Sequence, residues 1–236
     1  MNFKYYHGTS DIFLDSIVEF GLGGINPNLK FKNLELLRFL FNECEKNKLS
    51  KYEYLIGREN IVGMVNQTTV EFIMPNGKKV LTNYKHDKPY VGITRERALI
   101  YACDNKYGSE ILEYCIMLYK FLKELDKNFE LPKELNLFGI ENYIDKEHKP
   151  ILIELNGIKD SELETEFGKS GSEFLSELRQ NFKTLSPKEL DVKMAYSNFK
   201  LINPVFKDRM KIYEIEFEGK IGRPDFDFTL SRIKTA

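Results

Sequence analysis

Apolar and polar positions follow two periods along this chain, and each change of period marks an element. Tyr5-Tyr6-His7-Gly8-Thr9 reads as a short aromatic strand. Ser10 stands where it can cap a helix, and Ile12, Phe13, Ile17, Val18 and Phe20 recur at helical spacing until Gly21, which is placed to end it. Gly23 and Gly24 make a loop, and Leu34, Leu36, Leu37, Phe39, Leu40 and Phe41 predict a second helix from Leu34 to Leu49. Val70–Ile73 and Lys79–Thr82, divided by Pro75-Asn76-Gly77, predict a β-hairpin, because Asn-Gly supplies the positive φ angles of tight turns. A strand entered through Pro89 covers 88–94, a helix begins at Arg95 and is interrupted at Gly108, and a strongly apolar helix runs from Ile111 to Leu125.

Ile151–Leu155, between Pro150 and Asn156-Gly157, predicts a short buried strand. Gly171 to Phe182 predicts a helix with Ser172 as its cap, and Val192 to Ile202 a strand stopped by Asn203-Pro204. From Lys211 to Phe217 a further strand should bury Tyr213, Ile215 and Phe217 and turn Glu214, Glu216 and Glu218 to solvent. The tail from Gly222 carries Phe226, Phe228, Leu230 and Ile233 and is expected to dock on the body. With no repeat, low-complexity tract or linker, this order of strands and helices is expected to form one α+β domain over 1–236, with a helix and hairpin insertion at about 25–85.

Composition narrows the class. Apolar residues at 42% and charged residues at 30% permit a sizeable core under a solvated surface. A net charge of -1 leaves no whole-molecule field to attract nucleic acid, although Lys30, Lys32, Lys46, Lys48 and Lys51 cluster near the insertion, where the ordinary reading is a solvated face. The N-terminus lacks the apolar stretch of a secretion signal, and no apolar run approaches the ~20 residues that cross a bilayer, so a cytoplasmic protein without membrane contact is expected. Cys44, Cys103 and Cys115 have no paired spacing and read as reduced core thiols. His7, His86 and His148 are too scattered for a metal motif, so no metal is expected.

Two segments carry chemistry. In His7-Gly8-Thr9 the imidazole can offer a ring nitrogen to a ribose hydroxyl, and Gly8 has no side chain to bar a flat ring from its backbone. Tyr90 and Tyr101 lie on a strand and on the helix that follows it, with small Ala98 and Ala102 beside the second. Such rings can wall a slot that receives a planar base by offset stacking, worth ~0.5–1.5 kcal/mol per pair beyond burial. Nicotinamide fits a slot of that kind. No Gly-x-Gly-x-x-Gly follows a strand, so Rossmann-type dinucleotide binding has no support.

Tyr6-His7-Gly8-Thr9 with Asp15-Ser16-Ile17 and Gly21, followed by Tyr90, Thr94 and Tyr101, resembles the His-Tyr-Glu class of ADP-ribosyltransferases, the diphtheria-toxin-like and poly-ADP-ribose-polymerase-like enzymes. The resemblance covers the first strand and helix, the Tyr90–Tyr101 segment and, loosely, two late strands; residues 25–85 match nothing in it. It implies a split β-sheet core with helices packed on it. It also implies NAD as substrate: His7 on a ribose hydroxyl, Gly8 and Thr9 beside the nicotinamide carboxamide, Tyr101 stacked on the ring with Ala98 near it, and Tyr90 closing the slot.

The family keeps a glutamate near the start of a late strand, facing the positive charge that develops on the ribose. In Asp191 to Pro204 that position falls on Ala195. Three explanations compete: natural inactivity, service by Glu189 or Glu214 in a shifted register, or an engineered Glu-to-Ala change, which is favoured among them because an active enzyme would poison its producer; against all three stands the reading that Ala195 is simply a small strand residue and the family position lies elsewhere. The implied function is an intracellular mono-ADP-ribosyltransferase toxin, restrained by an antitoxin or used in antiviral defence, with a protein or nucleic-acid acceptor. A non-catalytic NAD or ADP-ribose binder is the alternative. RNA 2′-phosphotransferase fits less well, because that activity relies on arginines beside the histidine.

Overall fold

The computed structural model describes residues 3–73, 77, 79–182, 184–195, 197–223 and 225–234. In chain order its elements are β1 (Tyr5–Ser10), α1 (Leu14–Phe20), α2 (Pro27–Lys30), α3 (Asn33–Lys46), α4 (Tyr52–Asn66), β2 (Thr69–Ile73), β3 (Lys79–Asn83), β4 (Tyr90–Gly92) and α5 (Arg95–Asp104). Then follow α6 (Glu110–Leu125), β5 (Pro150–Leu155), β6 (Leu163–Thr165), α7 (Gly171–Asn181), α8 (Pro187–Ala195), β7 (Asn198–Leu201), β8 (Met210–Glu218) and β9 (Asp227–Ile233). The class is α+β, as the pattern of periods indicates. The chain divides into two compact units, one of Met1–Ile25, Lys88–Ser109 and Glu147–Ala236, the other of Asn26–Asp87 and Glu110–Lys146.

The first unit is built on a seven-stranded sheet in the order β6-β7-β4-β1-β5-β8-β9, with every neighbouring pair antiparallel. On one face α5 packs Ala98, Leu99 and Ala102 against Leu152 and Ile215. The opposite face buries Tyr5, Ile153 and Phe199, with Phe199 meeting Tyr5 edge-on at 6.3 Å and Phe174 of α7 at 5.6 Å between ring centroids. The tail docks as expected: β9 adds to β8 over seven register pairs. Phe217 departs from the expected buried face, standing 39% exposed near the end of β8, while Ile212 and Ile215, on opposite faces, are both buried because the middle of the sheet is covered on both sides.

The segment expected as one strand from Val192 to Ile202 is two elements. Helix α8 takes it up to Ala195 and β7 begins only at Asn198. Ser186 and Glu189 explain the helix: Glu189 accepts from the Ser186 amide at 2.9 Å and hydroxyl at 2.6 Å, and its own amide donates back to Ser186 Oγ at 3.4 Å, the reciprocal bonds of a capping box. Ser172 is not the cap of α7, since that helix already starts at Gly171.

The second unit takes up more than the expected insertion. It joins α2–α4 and the hairpin to α6 because the apolar stripe of α6 (Ile111, Leu112, Cys115) meets Leu36, Leu37 and Leu40 of α3, all fully buried. Strands β2 and β3 pair from Thr69↔Asn83 to Ile73↔Lys79, and Gly77 has φ +78°, while Pro75 and Asn76 lie outside the described residues. Helix α4 had no clear signature because its apolar residues run all round: Tyr54, Ile61, Met64 and Val65 are buried, yet Tyr52, Leu55 and Ile56 are exposed.

Candidate functional site

His7 and Tyr90 meet where β1 lies beside β4. Hydrogen-bond parity fixes the arrangement. Leu201 N–H donates to Pro89 O at 3.1 Å, so Pro89 and Val91 face β7 with their backbone groups, and Tyr90 and Gly92 face β1. Only one pair, Tyr6↔Gly92, joins β1 to β4, whereas six pairs join β1 to β5. The next pair in that ladder would be Gly8 with Tyr90. In its place the His7 ring enters, its Nδ1 lying 2.7 Å from Tyr90 O. The imidazole thus satisfies the carbonyl that the neighbouring strand would have taken, and the two strands part at this point.

That contact decides the chemistry of the ring. A carbonyl only accepts, so Nδ1 carries the hydrogen and Nε2 of the neutral ring is left as an acceptor. Burial lowers the His7 pKa from 6.5, and the Tyr90 carbonyl opposes this to a lesser degree, so the ring is neutral at pH 7. The same parity turns the N–H and C=O of Gly8 toward the gap.

The Cα side of Gly8 is not open to a ligand, as its sequence position suggested. A Cβ there would lie 2.0 Å from Ala98 O and 2.9 Å from Ala102 N, so the missing side chain lets α5 rest directly on β1. Ala98, 2% exposed, is part of this helix–strand contact. Thr9 Oγ1 donates to Gly108 O at 3.3 Å and is buried. For Gly8, Thr9 and Ala98 the structure therefore supplies a packing role, with the backbone edge of Gly8 remaining toward the gap.

Tyr90 and Tyr101 stand on the α5 side of the sheet. Tyr90 is opposite Lys200 of β7, a nearly buried lysine whose Nζ lies 6.0 Å from the Tyr90 ring centroid. Thr94 caps α5 by accepting from Arg97 N–H at 3.4 Å. The Arg97 stem crosses Gly92, where a Cβ would sit 3.4 Å from Arg97 Cβ. Its guanidinium then stacks 4.8 Å over the Tyr101 ring and donates to the Tyr101 hydroxyl at 3.1 Å. One face of the Tyr101 ring is thus already covered by a cation. Sheet alternation sends the His7 side chain to the opposite face from Tyr90, and the ring returns to the shared edge through its bond to the Tyr90 carbonyl.

Ala195 does not stand on the strand. It closes α8, three residues before β7. Neither substitute carboxylate is near Tyr90: Glu189 caps α8, and Glu214 pairs with Lys149 at 2.5 Å on β8, on the far side of β5. The residue that opens β7 is Asn198, opposite Gly92, and its Nδ2 donates to Glu166 Oε1 at 3.2 Å. Arg97, Asn198, Lys200 and Glu166 were not singled out from sequence. The i, i+4 spacing of Arg97 and Tyr101 was legible; the other three depended on knowing where β6 and β7 start.

Comparison of the chain with protein families, curated proteins and solved structures finds no match. Among the described residues no group of three or more His, Cys, Asp or Glu could hold a metal ion, and no helix is long and apolar enough to cross a membrane.

Proposed function

We propose that the β1–β4 gap binds NAD and that the protein is a mono-ADP-ribosyltransferase, releasing nicotinamide and passing ADP-ribose to a protein or nucleic-acid acceptor, as a toxin of a toxin–antitoxin or defence system would. The observation that carries the reading is the His7 ring, wedged against Tyr90 O with Nε2 left to accept from a ribose hydroxyl. Beside it the Gly8 backbone edge suits a carboxamide, which both donates and accepts. Tyr101 and Tyr90 are the aromatic rings that would wall the nicotinamide slot.

The reaction breaks the bond between nicotinamide nitrogen and ribose C1″. The electron pair leaves with the nitrogen, positive charge spreads over the ribose, and the acceptor oxygen or nitrogen bonds C1″ and gives up its proton. Anionic groups facing that cation dominate the rate. A second reading, a binder that holds NAD or ADP-ribose intact, draws on the absence of a carboxylate at the head of β7, where Asn198 stands. Calorimetry with NAD tests the site, and chromatography of the mixture separates the readings: nicotinamide appears for the transferase and not for the binder. No heat of binding refutes both.

A further inference from the structure

We infer that β9 pairs with β9 of a second copy of this chain, antiparallel about a two-fold axis at Leu230, so that the sheets of the two copies join into one. The two ends of the sheet are finished differently. At one end β6 is only three residues long, and Ser170 closes its outer side by bridging to Glu164. At the other end β9 runs for seven residues without a proline, and its only strand neighbour among the described residues is β8. Parity shows which groups it leaves outward. Tyr6 and Gly8 turn their backbone groups to β4, so His7 and Thr9 turn theirs to β5; Leu152 and Glu154 then face β8, Ile212 and Glu214 face β9, and Ser231 and Ile233 face back to β8. Phe228, Leu230 and Arg232 are left with N–H and C=O directed away from the sheet. Two bonds agree with this alternation: Asn156 N–H donates to Arg209 O at 2.8 Å, on the line between β5 and β8, and the Phe228 N–H, with no strand to meet, turns to Asp227 Oδ1 at 2.8 Å.

What fits such an edge is another extended chain, whose main-chain groups meet those left outward. The residues of β9 select this chain itself. Asp225 and Asp227 lead into the strand and Arg232 and Lys234 lead out of it, so antiparallel pairing lays the acidic end of each copy along the basic end of the other, and no charge interrupts Phe228-Thr229-Leu230-Ser231 between them. Leu230 is the midpoint of the strand, and its outward backbone groups allow it to sit on the axis of a contact in which one patch is used twice. This register keeps the whole strand paired. Leu230 exchanges both bonds with its counterpart, each Arg232 N–H meets Phe228 O of the second copy, and exposed Thr229 lies opposite exposed Ser231 on one face. On the other face Phe228 and Leu230, partly buried against Ile215 and the α5 residues, carry the apolar surface up to the joint. The contact lies beyond β5 and β8, away from the His7–Tyr90 gap, and needs no ligand. A single added strand pair is a small interface, so a Kd of about 1–100 μM is expected.

Sedimentation equilibrium of the full chain without ligand, from ~1 to ~200 μM, is the test, and a monomer–dimer equilibrium is the expected result. Arg232→Pro removes an outward N–H and leaves the bonds to β8 in place, so it should keep the far-ultraviolet circular dichroism of the unmodified chain and raise the dimer Kd at least ~30-fold, the loss acting twice across the axis. Arg232→Glu turns the basic end acidic and should raise the Kd by roughly 2–30-fold. Register is read by cross-linking under oxidation, with the unmodified chain as the blank for Cys44, Cys103 and Cys115. A mixture of Thr229→Cys and Ser231→Cys chains should form a disulfide-linked dimer and neither variant alone should, because Thr229 of one copy lies opposite Ser231 of the other; this decides the matter if Arg232→Pro does not fold. A chain that stays monomeric throughout, a dimer that survives Arg232→Pro unchanged, or a mixture that forms no more cross-linked dimer than either cysteine variant alone would overturn the inference.

Discussion

Strand β1 has two edges, and they behave differently. On the β5 side six consecutive pairs close the ladder from Tyr5↔Leu155 to Ser10↔Pro150. On the β4 side a single pair forms before a side chain displaces the backbone partner. One strand thus has a closed ladder along one edge and a parted one along the other, where the proposed site lies. The difference arises from where polar backbone groups find partners: buried N–H and C=O groups must be satisfied, and a ring nitrogen can do this while leaving a gap that a second strand would have filled.

This contrast can be broken from either edge. The largest effect belongs to the scaffold. Gly8→Ala places a Cβ 2.0 Å from Ala98 O and should cost about 3 kcal/mol or more in urea unfolding, since neither backbone can move alone. Gly92→Ala, whose Cβ would meet Arg97 at 3.4 Å, is the matched control on the open edge and should cost under about 1 kcal/mol. Equal losses at the two glycines would show that the edges are packed alike.

Next comes the stacking surface. Tyr101→Ala should weaken NAD binding by roughly 1–3 kcal/mol in calorimetry, the range for loss of a base-stacking aromatic, whereas Tyr101→Phe should keep most of it. A smaller effect separates the two roles of His7. Its pKa when folded lies below 6.5, so protonation favours the unfolded chain. Its stabilising effect is therefore complete above pH 6.5 and is lost as pH falls from there toward the folded value. His7→Gln can still donate to Tyr90 O and should flatten that part of the pH dependence of urea unfolding, while His7→Ala should also lose about 1 kcal/mol at pH 7.5. The smallest effect is expected at Glu214: Glu214→Gln breaks an ion pair with Lys149, 60% exposed, and should leave both the urea midpoint and NAD affinity unchanged within error.

The helices with a single apolar stripe, the hairpin and the tail were legible in the sequence because each shows one clean period. What failed was at boundaries. Met194-Ala195 could continue a strand by local pattern, but Ser186 and Glu189 close a capping box that holds the chain in a helix through Ala195, and the strand begins only at Asn198. Gly8 was recognised as a close approach, and only the packed helix showed that the approaching group is Ala98 O.

The sequence by itself determined the α+β class, the place of His7 on the first strand and of Tyr101 on the helix after β4, because period and capping are set by residues within a few positions of each other. The tertiary structure alone decided that β1 and β4 part at His7, that Arg97 covers one face of Tyr101, and that Asn198 reaches Glu166. Those depend on register between strands remote in the chain, and a shift of one residue would send every side chain to the other face.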